Sequence, residues 1–163
     1  KGMNIGSSEV QEAHIPFCQE ILHIAKKKGV ELLLPVDHIA AISVEPEVTV
    51  RIVKKGEDIP DEMMGLDIGF ETIDLFSDAL KGSEMIIWAG PMGVYEIDLF
   101  SAGTTELAKE VASSSGISIA GGGSTVNALY RAGVASRISH LSYGSLALLG
   151  FLSGNKLPGI KSI

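Results

Sequence analysis

Apolar runs and helical patterns alternate through the second half of the chain, with glycine at the joins. That alternation limits the fold more than any other feature. Met85-Ile86-Ile87-Trp88-Ala89 is an apolar run with β-branched and aromatic members, and it reads as a buried strand. It breaks at Gly90-Pro91, a strong turn signal, and Gly93 and the acidic Glu96 follow before a helical pattern from Leu99 to Ser115 that stops at Gly116. Ile117-Ser118-Ile119-Ala120 reads as the next strand, Gly121-Gly122-Gly123 as the next turn, and Ser124 as the opening of the next helix. A short strand over Ile138 to Leu141, a short apolar helix over Ser145 to Leu152 and a tail over 153–163 complete the half. Strand–helix alternation of this kind argues for a parallel sheet with helices on both faces and right-handed crossovers. In such sheets ligands bind where strands end and loops begin. A plain strand-to-helix turn with no ligand accounts for each glycine-rich join equally well on spacing alone.

The first half is less regular. Residues 1–14 read as a loop. A helix follows, with Pro16 in its first turn and Phe17, Ile21, Ile24 and Ala25 at helical spacing. Lys26-Lys27-Lys28-Gly29 ends it, the lysines complementing the helix dipole. Strands are expected over Glu31 to Leu34, His38 to Ser43 and Val48 to Val53. A polar connector spans Lys54 to Asp61, a compact loop Met63 to Gly69, and a helix Glu71 to Leu80. Asp37 and His38 are adjacent, but neighbours on a strand face opposite ways, so they are not expected to act as a pair. The four histidines have no metal-like spacing. A formal net charge of -7 disfavours nucleic acid and anionic membrane as partners, while leaving room for a nucleotide held by backbone N–H groups. The one cysteine, Cys18, excludes an intrachain disulfide, and no apolar run has the length of a membrane span.

Four motifs, in order, carry a family resemblance. Met85 to Glu96 resembles the W-N-G-P-M-G-V-F-E segment of phosphoglycerate kinase. Ile59 to Gly69 is similar to that family's I-P-D-G-W-M-G-L-D-I-G, Ile119 to Thr125 to its I-I-G-G-G-D-[ST], and Gly154 to Gly159 to its G-K-x-L-P-G. The resemblance is to the C-terminal half only. It implies an α/β, Rossmann-like three-layer αβα domain with a mainly parallel sheet, truncated on its N-terminal side. Residues 1–163 would form a single domain, the nucleotide-binding portion. The N-terminal domain that binds 3-phosphoglycerate would be absent, together with the Gly-Ala-Lys segment whose lysine contacts the nucleotide.

What the resemblance implies for individual residues is specific. Gly65 and Leu66 match positions near the adenine, and Pro91, Gly93 and Val94 match the wall of its pocket. Glu96 matches the glutamate that hydrogen-bonds the ribose. Gly122, Gly123, Ser124 and Thr125 match the phosphate turn, and Gly123 and Gly144 match glycines at the transferring phosphoryl group. The cofactor implied is Mg²⁺ with ADP or ATP. Several ligand positions depart from the family. Ser124 replaces the metal-associated aspartate, Ala89 an asparagine, and Phe70 a proline. Ser142-Tyr143-Gly144-Ser145-Leu146-Ala147-Leu148 keeps one of the three glycines in the family's S-T-G-G-G-A-S. The reaction implied is reversible phosphoryl transfer between 1,3-bisphosphoglycerate and ADP, with negligible activity expected of this chain alone. The alternative is a non-catalytic relative with weak or no nucleotide binding. A monomer is implied, in the cytoplasm or, for photosynthetic members, the plastid.

Overall fold

Three short strands organise the first part of the chain. They are β1 (His38–Ala41), β2 (Arg51–Val53) and β3 (Met64–Ile68), in the order β2-β1-β3 with both pairings antiparallel. The computed structural model describes residues 2–161 and divides into two compact units between Thr72 and Ile73. In the first unit β1 takes the centre because Ala40 and Ala41 are small and fully buried, and a bulge between Ile39 and Ala40 shifts its register against β3. Ala40, Val53 and Ile59 form the core, with Met63 packed against it.

Two sequence expectations fail in this unit. Glu31 to Leu34 forms no strand, and Leu32 and Leu34 are exposed. Apolar content favours a strand only where a ladder partner is at hand. Met63 to Gly69, expected as a loop, is mostly β3. Gly65 and Asp67 hide its pattern, yet Leu66, Asp67 and Ile68 are buried in the ladder with β1. Residues 4–8, expected as loop, are also fastened. The Ser7 N–H donates to Met63 O at 2.8 Å, the Asn4 N–H to Asp58 Oδ1 at 2.8 Å and the Gly65 N–H to Ser8 Oγ at 2.9 Å. Helix α1 (Ile15–Lys28) ends as expected, at Gly29 with φ +68°. Only Ala25 of that helix is buried, and Phe17, Ile21 and Ile24 are exposed.

Helix α2 (Phe70–Leu80) is capped by a residue more than thirty positions upstream. The buried Asp37 carboxylate accepts from the N–H groups of Glu71 (3.0 Å) and Thr72 (2.8 Å) and from Thr72 Oγ1 (2.5 Å). Thr72 Oγ1 in turn accepts from the N–H groups of Val36 and Asp37 at 3.0 and 3.1 Å. Gly69 closes the arrangement. A Cβ there would lie 2.0 Å from Asp37 Oδ2.

The second unit carries the parallel sheet expected from the alternation. Strands β4 (Met85–Ala89), β5 (Ile117–Gly121) and β6 (His140–Ser142) lie in that order, every pairing parallel. The last strand starts two residues later than expected because Ala135–Arg137 forms a turn of 3-10 helix first. Along β4 burial alternates: Ile86 and Trp88 are buried, Met85 and Ile87 exposed. Helices α3 (Ala102–Ser113) and α4 (Gly123–Arg131) pack on each other, and α4 also lies against β5 and β6. Phe100, Val126 and Leu129 are fully buried. Helix α5 (Ser145–Leu152) has no buried residue, and a short α6 (Pro158–Lys161) falls where a tail was expected. No helix among the described residues is long and apolar enough to cross a membrane.

Candidate functional site

The carboxyl ends of β4, β5 and β6 open into three loops, and hydrogen bonds join them. After β4 the chain turns at Gly90, where φ is +97°, a conformation that L side chains rarely adopt. Trp88 Nε1 donates to Gly90 O at 2.5 Å, and the Gly90 N–H donates to Thr125 Oγ1 at 2.7 Å. Further along the loop, the N–H groups of Met92 and Gly93 donate to Thr104 Oγ1 at 3.0 and 3.3 Å. Thr104 and Thr125 sit in the first turns of α3 and α4, and both are buried to within about one per cent. Between β5 and α4, Gly122 has φ +98° and donates its N–H to Ser142 O at the end of β6, at 2.8 Å.

The expected site residues divide by unit. Gly65 and Leu66 are strand residues of β3 in the first unit, Leu66 buried in the ladder. In the second, Pro91, Gly93 and Val94 lie on the loop pinned by Thr104 and are half-buried, and Glu96 at its far end is exposed. Gly122 caps α4, while Gly123 and Ser124 are exposed in its first turn, with open space where a Gly123 Cβ would project. The helix thus opens one residue earlier than expected. Thr125 Oγ1 accepts from the Gly90 N–H, and the backbone N–H of Thr125 lies in the first turn of α4. Gly144 caps α5, an exposed helix whose Leu146 is 85% exposed. Tyr143 is also exposed, and its hydroxyl donates to Tyr130 at 3.5 Å, which raises the Tyr143 phenol above its ordinary pKa.

Sequence reasoning passed over Thr104 and Trp88 as anchors. The helix was expected from Leu99 but opens at Ala102, and that later start puts Thr104 in the first turn, where hydroxyls serve neighbouring backbone donors. Beside the loop, burial raises the Tyr95 phenol and the adjacent Glu96 carboxylate adds to the rise, while Arg131 and a hydrogen bond with Asn127 oppose it. Arg131 also pairs with Asp98 at 2.7 Å, on the surface.

At the α4 turn the donor set is backbone N–H groups and one exposed hydroxyl, Ser124. That suits phosphate oxygens, which helix N-termini attract. It does not suit a protein-held Mg²⁺, which favours carboxylate oxygens. Among the described residues, no group of three or more His, Cys, Asp and Glu is placed to hold a metal.

Glycine turns at the carboxyl end of a parallel α/β sheet define a class of chains that take ligands at the strand ends. A family model described as phosphoglycerate kinase matches residues 1–155. A phosphoglycerate kinase of Koribacter versatilis is 44% identical over 164 residues, covering 100% of this chain and 41% of that protein. Phosphoglycerate kinase 3, cytosolic, of Arabidopsis thaliana is 43% identical over 166 residues, again covering 100% of this chain and 41% of that protein. The solved structure of phosphoglycerate kinase from Coxiella burnetii superposes with a TM-score of 0.92 at 34% identity, covering 98% of this chain and 41% of that one. The chain belongs to the phosphoglycerate kinase family. It spans about two-fifths of the length of the curated relatives it matches.

Proposed function

We propose that the loops after β4, β5 and β6 bind the phosphates and adenosine of ADP or ATP, delivered as the magnesium complex. On this reading the chain is the nucleotide-binding portion of a phosphotransferase acting between 1,3-bisphosphoglycerate and ADP. The observation that carries it is the start of α4. Gly122 at φ +98° turns the chain so that a helix opens directly from β5, and Gly123 leaves open space in front of its first turn. Unpaired N–H groups and the dipole of a helix start favour a phosphate. Pro91, Gly93 and Val94 line the adenosine side, and the exposed Glu96 carboxylate accepts from ribose hydroxyls. Magnesium would arrive with the nucleotide and would offset the charge of its phosphates. The other substrate, 3-phosphoglycerate, is bound by residues beyond this chain. A cytosolic setting is proposed from the name of the Arabidopsis relative.

Titration calorimetry with Mg-ADP tests this. Glu96→Ala removes hydrogen bonds to a charged acceptor worth about 1.5–3 kcal/mol, so affinity falls roughly ten- to hundredfold. Equal affinity in the two proteins sinks the assignment of Glu96. A coupled assay of the chain by itself is expected to give no turnover above background, because phosphoryl transfer requires both substrates to be positioned together. Measurable 3-phosphoglycerate-dependent turnover overturns that expectation. A second reading, a non-catalytic relative, draws on Ser124, on the bulky, exposed Tyr143 in the loop after β6 and on the exposed Leu146 in the first turn of α5. No Mg-ADP binding by a folded sample favours it.

A further inference from the structure

The loop from Gly90 to Gly93 has three backbone donors, and each is met by a threonine hydroxyl from a neighbouring helix. Thr125 on α4 takes the Gly90 N–H at 2.7 Å, and Thr104 on α3 takes the Met92 and Gly93 N–H groups at 3.0 and 3.3 Å. Both hydroxyls are shut off from solvent, so water does not compete for those donors. The loop also turns at a positive-φ glycine and carries a proline, which shapes it but supplies no hydrogen bond to hold its position. From this geometry we infer that Thr104 is a positioning residue for nucleotide binding. Its hydroxyl sets the adenosine-side loop, while Thr125 ties that loop to the helix that faces the phosphates. The inference rests on the nucleotide reading proposed above and adds a residue outside the ligand contacts.

Thr104→Val keeps the shape of the side chain and removes the acceptor. Two part-buried N–H groups then lose their partner, and the loop is free to shift. Binding is measured by calorimetry on the full chain with three probes: Mg-ADP, adenosine and inorganic pyrophosphate. Thr104→Val is expected to weaken Mg-ADP and adenosine about tenfold and to leave pyrophosphate unchanged, because the α4 turn does not depend on Thr104. Thr104→Ser restores the acceptor and should restore both affinities. A purely structural role moves all three probes together or none, and either result overturns the inference. A wild-type chain that binds none of the probes overturns the nucleotide reading and this inference with it. Wild-type binding combined with an unaffected valine variant overturns the inference alone. Amide exchange on the wild-type chain gives a measurement that does not need the valine variant to fold. Mg-ADP should slow exchange at Met92 and Gly93, and unchanged exchange in the presence of bound nucleotide counts against the loop's role.

Discussion

Asp37→Ala is expected to lower the unfolding free energy by about 3 kcal/mol, seen as a drop of roughly 6–12 °C in the melting midpoint. The carboxylate receives three hydrogen bonds from the start of α2, two of them from backbone N–H groups that no helical carbonyl can reach. Removing it strands those donors, the Thr72 N–H in a buried site, and leaves the Thr72 hydroxyl only the Asp37 carbonyl at 3.2 Å to donate to. An exposed N-cap loses about 1 kcal/mol on truncation, and burial raises the cost here. Asp37→Asn retains one oxygen and should lose about half as much. Gly69→Ala tests the same arrangement from the other side, because its methyl would run into the carboxylate and Asp37 has no free space to retreat into. Thermal unfolding followed by far-UV circular dichroism reads all three. A wild-type midpoint for Asp37→Ala removes the cap from the account of stability.

Gly122→Val should abolish most nucleotide binding, with an expected loss of roughly a hundredfold in Mg-ADP affinity. The residue sits at φ +98°, ψ 142°, a region that a β-branched side chain enters only with strain. Its Cβ would also approach Ser145 Cβ to 3.2 Å, pressing the α4 turn against the start of α5. Relief of that strain rotates the peptide that hands its N–H to Ser142 O and re-aims the first turn of α4. The neighbouring Gly123 makes the contrast. It has ordinary φ and open space around its Cβ position, so Gly123→Ala should shift the melting midpoint by no more than a degree or two. If Gly122→Val binds Mg-ADP as tightly as the wild type, the α4 turn is not where phosphates sit.

The parallel sheet was legible in the sequence mainly through β4, a contiguous apolar run that stops at a glycine, and β5, whose apolar residues one serine interrupts, while the mixed His-Leu-Ser of β6 was placed two residues early. β4 and α5 were read to their observed ends, and the start of α4 to within a residue. The antiparallel sheet was legible in part: β1 and β2 lie within strands the sequence led one to expect, but β3 was read as a loop. β3 is written as Met-Gly-Leu-Asp-Ile, and a glycine and a buried aspartate inside a strand resemble loop chemistry. The reverse error at Glu31 to Leu34 has a related cause, since three leucines promise burial that only a partner can supply. The long-range partners were illegible for a plainer reason. Asp37 caps a helix more than thirty residues away, and Thr104 serves a loop more than ten residues away. Neither spacing carries a local period. The glycines and Thr125 of the candidate site were marked by sequence, whereas Thr104, and the hold of both threonines on the first loop, became visible only in the folded chain.

The sole tryptophan, Trp88, lies directly under the Gly90 turn, nearly buried, with its indole N–H on the carbonyl of that turn. Indole emission responds to the loss of such a hydrogen bond and to any water admitted beside the ring. The molecule therefore carries its own optical gauge, seated at the root of the loop proposed to form the adenosine side. A stopped-flow trace excited at the red edge, where the three tyrosines are silent, would time the movement of that loop without any added label.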